Sequence, residues 1–249
     1  MCAITSLSYT SISHFGLDKP VVVKYIDAYF EYVSPISCGG FLHRALFLQS
    51  WNNGILNTSL LKAVCAASIR FCDEGSEAKQ LNLQLAHEAE SFVLSRLATP
   101  SVVLVEILMV VISDAIASRQ YIKVQVLAAL AARLSYILKL NHENEALSVT
   151  ARESRRRLMW AIFSLDKLYG CGIAELTLCH VKTLHIQLPC NERAFSLGIE
   201  GQTGSLRKYP GSGADNPSQM GIQSYLLRLY GMRDRILRCD YLHHLQVFN

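Results

Sequence analysis

Residues 153–167, E-S-R-R-R-L-M-W-A-I-F-S-L-D-K, constrain the fold more than any other stretch of the chain. At a helical turn of about 100° per residue, Leu158, Ile162, Leu165 and Tyr169 fall within roughly 60° of one another. Trp160 and Phe163 fall on the opposite side, with Arg156 and Lys167 beside them. A helix apolar on two sides must be covered on both, so this stretch is expected to be a central element of an all-helical core and not a surface recognition helix. Thr150 and Glu153 have the T-x-x-E spacing of a capping box, which predicts Ala151 as the first helical residue.

The arginines at 155–157 are costly there, because a cation near a helix N-terminus opposes the macrodipole by about 0.3–1 kcal/mol. One reading is a site for an anion or for nucleic acid. The other is ion pairing with carboxylates from other helices, with Arg156 stacked on Trp160 one turn away. The second fits better, since three consecutive residues spread over about 200° of a helix and cannot all face one phosphate backbone.

The arginine run, Trp160 and a hydrophobic helix ending in Asp166-Lys167 resemble the middle regulatory region of fungal binuclear zinc cluster transcription factors. Met159 stands where that family has a first Trp, and Lys167 where it has Arg. Upstream, Tyr25 to Phe47 resembles the family's opening helix and its F-x-H-x-P-x-F element, carried by Phe41, His43 and Phe47 with Ala45 in place of Pro. Leu60 to Phe71 is similar to the next helix, and Leu127 to Glu143 to the family's segment ending in leucine followed by asparagine or histidine. Downstream, Ile186 to Phe195 is similar to the L-P-x-x-E-x-x-F close, through Leu188, Pro189 and Glu192. These motifs follow in order over residues 20–197, and the resemblance gives Arg155, Arg156, Arg157, Trp160 and Asp166 the same structural standing as the flanking motif residues.

Composition agrees with a packed interior. The 249 residues suffice for one sizeable core, and 51% hydrophobic against 18% charged residues argues for burial and against disorder. A net charge of +4 implies by itself neither nucleic acid nor membrane binding. Val102 to Ile112, broken only by Glu106, is about half the ~20 residues a membrane span needs. It reads as a buried helix, its valines leaving a buried strand as the alternative. The N-terminus lacks the basic and apolar regions of a secretory signal, which leaves the sequon Asn57-Thr58-Ser59 without a route to glycosylation.

Eight cysteines contain no C-x2-C pair. A binuclear zinc cluster needs such pairs, because its thiolates must converge on two metals within one short repeat. Cys65 and Cys72 have a C-x6-C spacing alone, two turns apart on one helical face. No metal or other cofactor is expected, and free thiols in a reducing compartment fit best.

Helices are expected over about 21–33, 59–72, 77–97, 102–117, 121–140 and 151–169, with short connections that make antiparallel neighbours. The expected division is a tail at 1–19, a helical domain at 20–197, a Gly-, Ser- and Pro-rich loop or linker at 198–221, and a C-terminal helix at 222–249. In that last helix Leu226, Leu229, Ile236 and Leu237 form the expected apolar side, with Arg228, Arg233, Arg235 and Arg238 as polar surface. The fold class is therefore all-α, a multi-helix orthogonal or antiparallel bundle.

Catalytic patterns are missing. There is no D-D-x-x-D, H-E-x-x-H, G-x-S-x-G or phosphate-binding G-x-x-x-x-G-K-[ST]. Gly201-Gln202-Thr203-Gly204 reads as a turn, and His43 with Arg44 among Phe41, Leu42 and Phe47 as an aromatic-rich turn with satisfied polar tips. His243 and His244 read as solvated, and nothing makes ligands of His180 and His185.

What the resemblance implies is a nuclear, non-enzymatic protein acting on transcription, contacting protein partners of the transcription machinery, with DNA bound only through a segment outside these residues. It also implies a small-molecule effector among the helices and a homodimer as partners to look for, and no membrane. A helical protein-interaction scaffold without a transcriptional role is the main rival. A metal-free helical enzyme is the weaker one, distinguished by an interior cavity that gathers ionisable side chains.

Overall fold

The computed structural model describes residues 16–36, 39–207 and 218–247, with side chains described as far as Cys239. Most of the expected tail, the middle of the expected linker and the His243-His244 side chains lie outside the described residues. The elements are α1 (Lys19–Ala28), continued by a π-helical turn over Tyr29–Val33, α2 (Arg44–Asn52), α3 (Thr58–Ile69), α4 (Ser76–Ser95) and α5 (Val102–Ala117). Then follow α6 (Tyr121–Ile137), α7 (Val149–Tyr169), 3-10 turns at Ala174–Leu176 and Val181–Thr183, α8 (Glu192–Leu197) and α9 (Ile222–Val247). The class is all-α, as expected. Among the described residues the β-like pairings are two isolated bridges, joining His142 to His185 and Cys190 to Met220.

Helix α5 is the hub. Its run from Leu104 to Ile112 is buried apart from Glu106, and it packs on α3, α4, α6 and α7. Its start is set by Ser101, whose hydroxyl accepts the Leu104 N–H at 3.2 Å. Asn57 caps α3 in the same way, its side chain accepting from Ser59 and Leu60, so the residue that reads as a sequon is in fact a helix cap. Pro20 sits in the first turn of α1, where a missing N–H costs nothing.

Helix α7 is covered on both sides, as its two stripes require. Leu158, Ile162 and Leu165 are buried, and so are Trp160 and Phe163, which meet edge to face at 5.4 Å. It lies against α5, α6 and α9. Its start differs from the expectation: Ser148 is the cap, accepting from Ala151 N–H at 3.4 Å, and Thr150 is already inside the helix. Glu153 does not reach back to a cap, because two arginines one turn ahead hold it.

Two short helices, α2 and α8, stand where the sequence read a turn and a motif close. Each has its own cap: His43 Nδ1 accepts Leu46 N–H at 3.3 Å, and Asn191 Oδ1 accepts Ala194 N–H at 2.8 Å. Both are too short for a periodic pattern to stand out.

Residues 177–206 form a strap over one side of α7. Leu188 N–H bonds to Gly204 O at 2.9 Å, and Thr203 N–H bonds to the Gln187 side chain at 3.0 Å, which lays the start of the 198–221 segment along the strap. Helix α9 closes this side. Ser224 Oγ donates to Pro189 O at 2.6 Å, Arg233 to Lys167 O at 2.7 Å, and Arg238 to Thr177 Oγ1 at 2.5 Å. Gly172 has φ +79°, and a Cβ there would come within 2.6 Å of the Leu237 Cβ, so α9 and the loop after α7 meet where only glycine fits. The expected apolar side of α9 is corrected here: Leu227 is the buried leucine, Leu229 and Ile236 face outward, and Arg233 and Arg238 bond back to the body. Arg233 and Arg238, which a periodicity argument reads as surface, thus share the docking of this helix with Leu227 and Leu237.

Candidate functional site

The richest concentration of buried charge lies where α7 meets the strap. Glu153, 3% exposed, is the pivot. Arg157 Nε donates to Glu153 Oε1 at 2.9 Å, Arg156 also bonds Glu153, and the Cys190 N–H donates to Glu153 Oε1 at 3.0 Å. The i, i+3 and i, i+4 spacings bring both arginines onto the same carboxylate.

Arg157 ties four segments together. One terminal nitrogen donates to both oxygens of Glu192, at 2.9 and 3.0 Å, and to Gly40 O at 3.1 Å. The other donates to Cys190 O at 2.8 Å, and the guanidinium lies 4.1 Å from the Phe195 ring centre. Burial works against the charge, but Glu153 and Glu192 outweigh it and hold the guanidinium above its ordinary value. Arg156 is pinned by Glu143, at 2.9 and 3.0 Å, as well as by Glu153. Glu143 in turn accepts the Gln187 N–H at 2.9 Å, and Trp160 Nε1 donates to Gln187 O at 2.6 Å. The arginine that lies over an aromatic ring is thus Arg157 on Phe195, where the sequence reading had Arg156 on Trp160.

His43 joins the same junction. Its Nδ1 accepts a backbone N–H, so Nε2 carries the proton and donates to Phe195 O at 3.1 Å, with the two rings edge to face at 4.9 Å. A cleft of about 430 Å³ opens beside it, lined by Leu42, His43, Leu48, Glu192 and Phe195.

The motif residues therefore divide. His43, Arg156, Arg157, Trp160, Leu188, Pro189 and Glu192 meet at or beside this junction. Phe41 and Phe47 are buried in the neighbouring α1–α2 packing, Phe47 edge to face with Phe30 at 5.7 Å. Arg155 points elsewhere, donating to Leu138 O at 3.1 Å and facing Glu106; burial lowers its pKa and Glu106 opposes that. Asp166 lies near the other end of α7, accepting from Leu178 and Cys179 N–H at 2.8 and 3.0 Å and from Lys167 at 2.8 Å. Lys167, buried, also lies 3.6 Å from Asp234 of α9.

Sequence reasoning missed Glu143, Thr203, Ser224 and Asp234. Only Glu153 carried a local signal, its spacing to Arg156 and Arg157, and that spacing competed with the capping-box pattern. Glu106 went unremarked as a titrating group, yet burial raises its pKa to about 7, with Arg155 pulling the other way. His142 and His185, on segments 43 residues apart in sequence, stack at 4.7 Å.

The described cysteines are free thiols. Cys65, Cys179 and Cys190 are buried on separate elements, and burial pushes each thiol up to about 12, opposing the thiolate a metal needs. Among the described residues no group of three or more His, Cys, Asp or Glu is placed to hold a metal ion. No helix among them is long and apolar enough to cross a membrane.

What these features define is an all-helical domain whose central helix is locked to a strap by arginine–carboxylate pairs. The chain belongs to the fungal specific transcription factor domain family, whose model matches residues 26–243. It is 26% identical, over 80% of this chain and 24% of the relative, to the Zn(2)-C6 fungal-type transcription factor FTF1c of Fusarium oxysporum f. sp. lycopersici. It is 27% identical, over 79% of this chain and 22% of the relative, to an uncharacterized transcriptional regulatory protein of Schizosaccharomyces pombe. The chain thus spans about a quarter of the length of these curated relatives. No solved structure matches it.

Proposed function

We propose that this chain is the regulatory module of a nuclear transcription regulator. It acts through contacts with protein partners, and DNA is engaged through a segment other than these residues. The observation that carries this reading is the use to which the buried charges of α7 are put. Arg156 and Arg157 are committed to Glu143, Glu153, Glu192 and to backbone carbonyls, so they build the scaffold and present no track for a phosphate backbone. No catalytic role and no bound zinc are part of the reading, which is supported by cysteines that lie apart and by thiols held in the protonated form.

The reading includes a small-molecule effector, and one cleft supports it. A cleft of about 570 Å³ opens between the ends of α3, α4 and α5, lined by Arg70, Asp73, Lys79, Asn82 and Ser118. Arg70 Nε is buried there without a hydrogen-bond partner among the described residues. An apolar floor with a few converging polar groups is the ordinary make-up of a ligand site.

Tethering tests the function. Fused to a heterologous DNA-binding domain beside a reporter gene in yeast, the chain is expected to change reporter output. A reporter unmoved by a fusion that is folded and nuclear would overturn the reading.

A further inference from the structure

The cleft beside His43 has apolar walls made by Phe30, Leu42, Leu48 and Phe195, around a volume of about 430 Å³. Small-molecule sites commonly occupy about 300–1,000 Å³ and are lined in this way. The rings are held by their own neighbours. Phe30 meets Phe47 edge to face at 5.7 Å, and Phe195 lies between the His43 ring at 4.9 Å and the Arg157 guanidinium at 4.1 Å.

The charged and imidazole donors around this cleft are spent within the protein. His43 Nε2 bonds Phe195 O, Arg44 bonds Asp27 at 2.8 Å, and Arg157 is committed on every side. Acceptors are left over. Both bonds to the Glu192 carboxylate come from a single nitrogen of Arg157, and the Glu192 side chain stays 60% exposed. Of the about four lone-pair directions of a carboxylate, roughly two are therefore open to the cleft mouth. The hydroxyls of Ser34 and Ser196 border the same space; Ser196 Oγ donates to Arg193 O at 3.0 Å, which leaves its oxygen free to accept.

Charge points the same way. The network joins Glu143, Glu153 and Glu192 to Arg156 and Arg157, so three carboxylates face two guanidiniums and one negative charge is left over. Glu153 is buried between both arginines, which leaves the excess to the outer ends. At the Glu143 end, Arg152 and Arg155 stand alongside. At the Glu192 end the rim cation Arg44 is taken by Asp27, and Arg193, next along α8, does not line the cleft.

We propose that this cleft binds a small organic cation, a primary ammonium group carried on an arylalkyl body. The body would fill the space between Phe30, Leu48 and Phe195, and the three N–H donors would meet Glu192 and the hydroxyls of Ser34 and Ser196. The site is separate from the Arg70 cleft. It goes beyond the regulatory reading, on which it rests only for its biological role.

The test titrates the 249-residue chain by ligand-observed NMR with four probes: 2-phenylethylammonium, 2-phenylethanol, phenylacetate and Nα-acetyl-lysine amide. The first should bind saturably, one per chain and at least about tenfold more tightly than the other three, and should weaken with salt. Glu192→Gln should erase the preference of ammonium over alcohol. Because Glu192 also holds Arg157, a second variant spares that pair: Leu48→Trp fills the cleft and should abolish binding with the thermal melt retained. Lys79→Ala, in the Arg70 cleft, should leave binding unchanged.

Equal binding of the alcohol or of phenylacetate, or no binding at all, overturns the proposal. So does lysine amide binding as tightly as the aryl amine, since the occupant would then be a lysine of another protein. Binding that survives in folded Leu48→Trp, or is lost in Lys79→Ala, places the ligand elsewhere and overturns it too. If the titration fails while the tethered chain still alters the reporter, this cleft is wrong and the regulatory reading stands.

Discussion

Arg157 shows how one buried cation organises a fold. Its partners come from α7, the α1–α2 connection, the strap and α8, so removing it takes away one of the two arginines on Glu153 and releases three segments at once. Arg157→Ala is therefore expected to cost about 3–5 kcal/mol in chemical denaturation, because a buried ion pair with Glu153 is broken and the Cys190 carbonyl loses its buried donor. Arg157→Lys should recover only part of that, since a point charge cannot serve four directions as a guanidinium fork does. A loss under 1 kcal/mol for the alanine variant would mean that the junction holds nothing. Glu106 presents the opposite case. Burial raises its folded pKa to about 7, above the ordinary 4.5, so the folded state takes up a proton more readily than the unfolded chain. Its contribution is neutral below the unfolded value and becomes destabilising as pH climbs through the folded one. Glu106→Gln should accordingly stabilise the protein by about 3 kcal/mol at pH 8 and by almost nothing at pH 4.5, read as the difference in melting between the two pH values.

At the scale of elements, α7 is explained by its ends and its two sides. Ser148→Ala should cost about 1 kcal/mol and Thr150→Ala much less, because the cap hydrogen bond belongs to Ser148. A reversed order would restore the capping box that the sequence offers. Trp160→Ala should cost about 3–5 kcal/mol, since the ring is 2% exposed and its N–H is bonded to the strap. A near-neutral result would place Trp160 at a surface. Helix α9 mixes the two kinds of contact: Leu227 is buried beside Ser224, while Arg233 and Arg238 bond to the body and Leu229 and Ile236 face outward.

For the molecule as a whole, the separated cysteines and the internally committed arginines lead to one expectation. The purified chain should carry less than a stoichiometric amount of zinc by elemental analysis and should not form a sequence-selective complex with DNA at physiological salt. Two zinc ions per chain, or a selective complex that survives that salt, would contradict the regulatory module drawn here.

What the sequence alone determined is whatever depends on periodicity and composition. The two stripes of residues 153–169 required a helix packed on both sides, the run from Val102 to Ile112 required burial, and the ordered motifs pointed to the family. Helix boundaries set by a single side chain were harder: Ser148 and Thr150 both precede a usable residue, and only the position of Glu153 in space chose between them. Tertiary structure alone decided where the charges went. Gly40, Cys190 and Glu192 are far from Arg157 along the chain, and no local pattern announces that the fold will bring them to one guanidinium. It alone also decided that α9 would be held by Ser224, Arg233, Asp234 and Arg238, because the side a helix buries depends on what its neighbours offer. A neighbour that offers Lys167, Thr177 and the Pro189 carbonyl takes Ser224, Arg233, Asp234 and Arg238 alongside the buried Leu227, and Leu229 and Ile236 are left exposed.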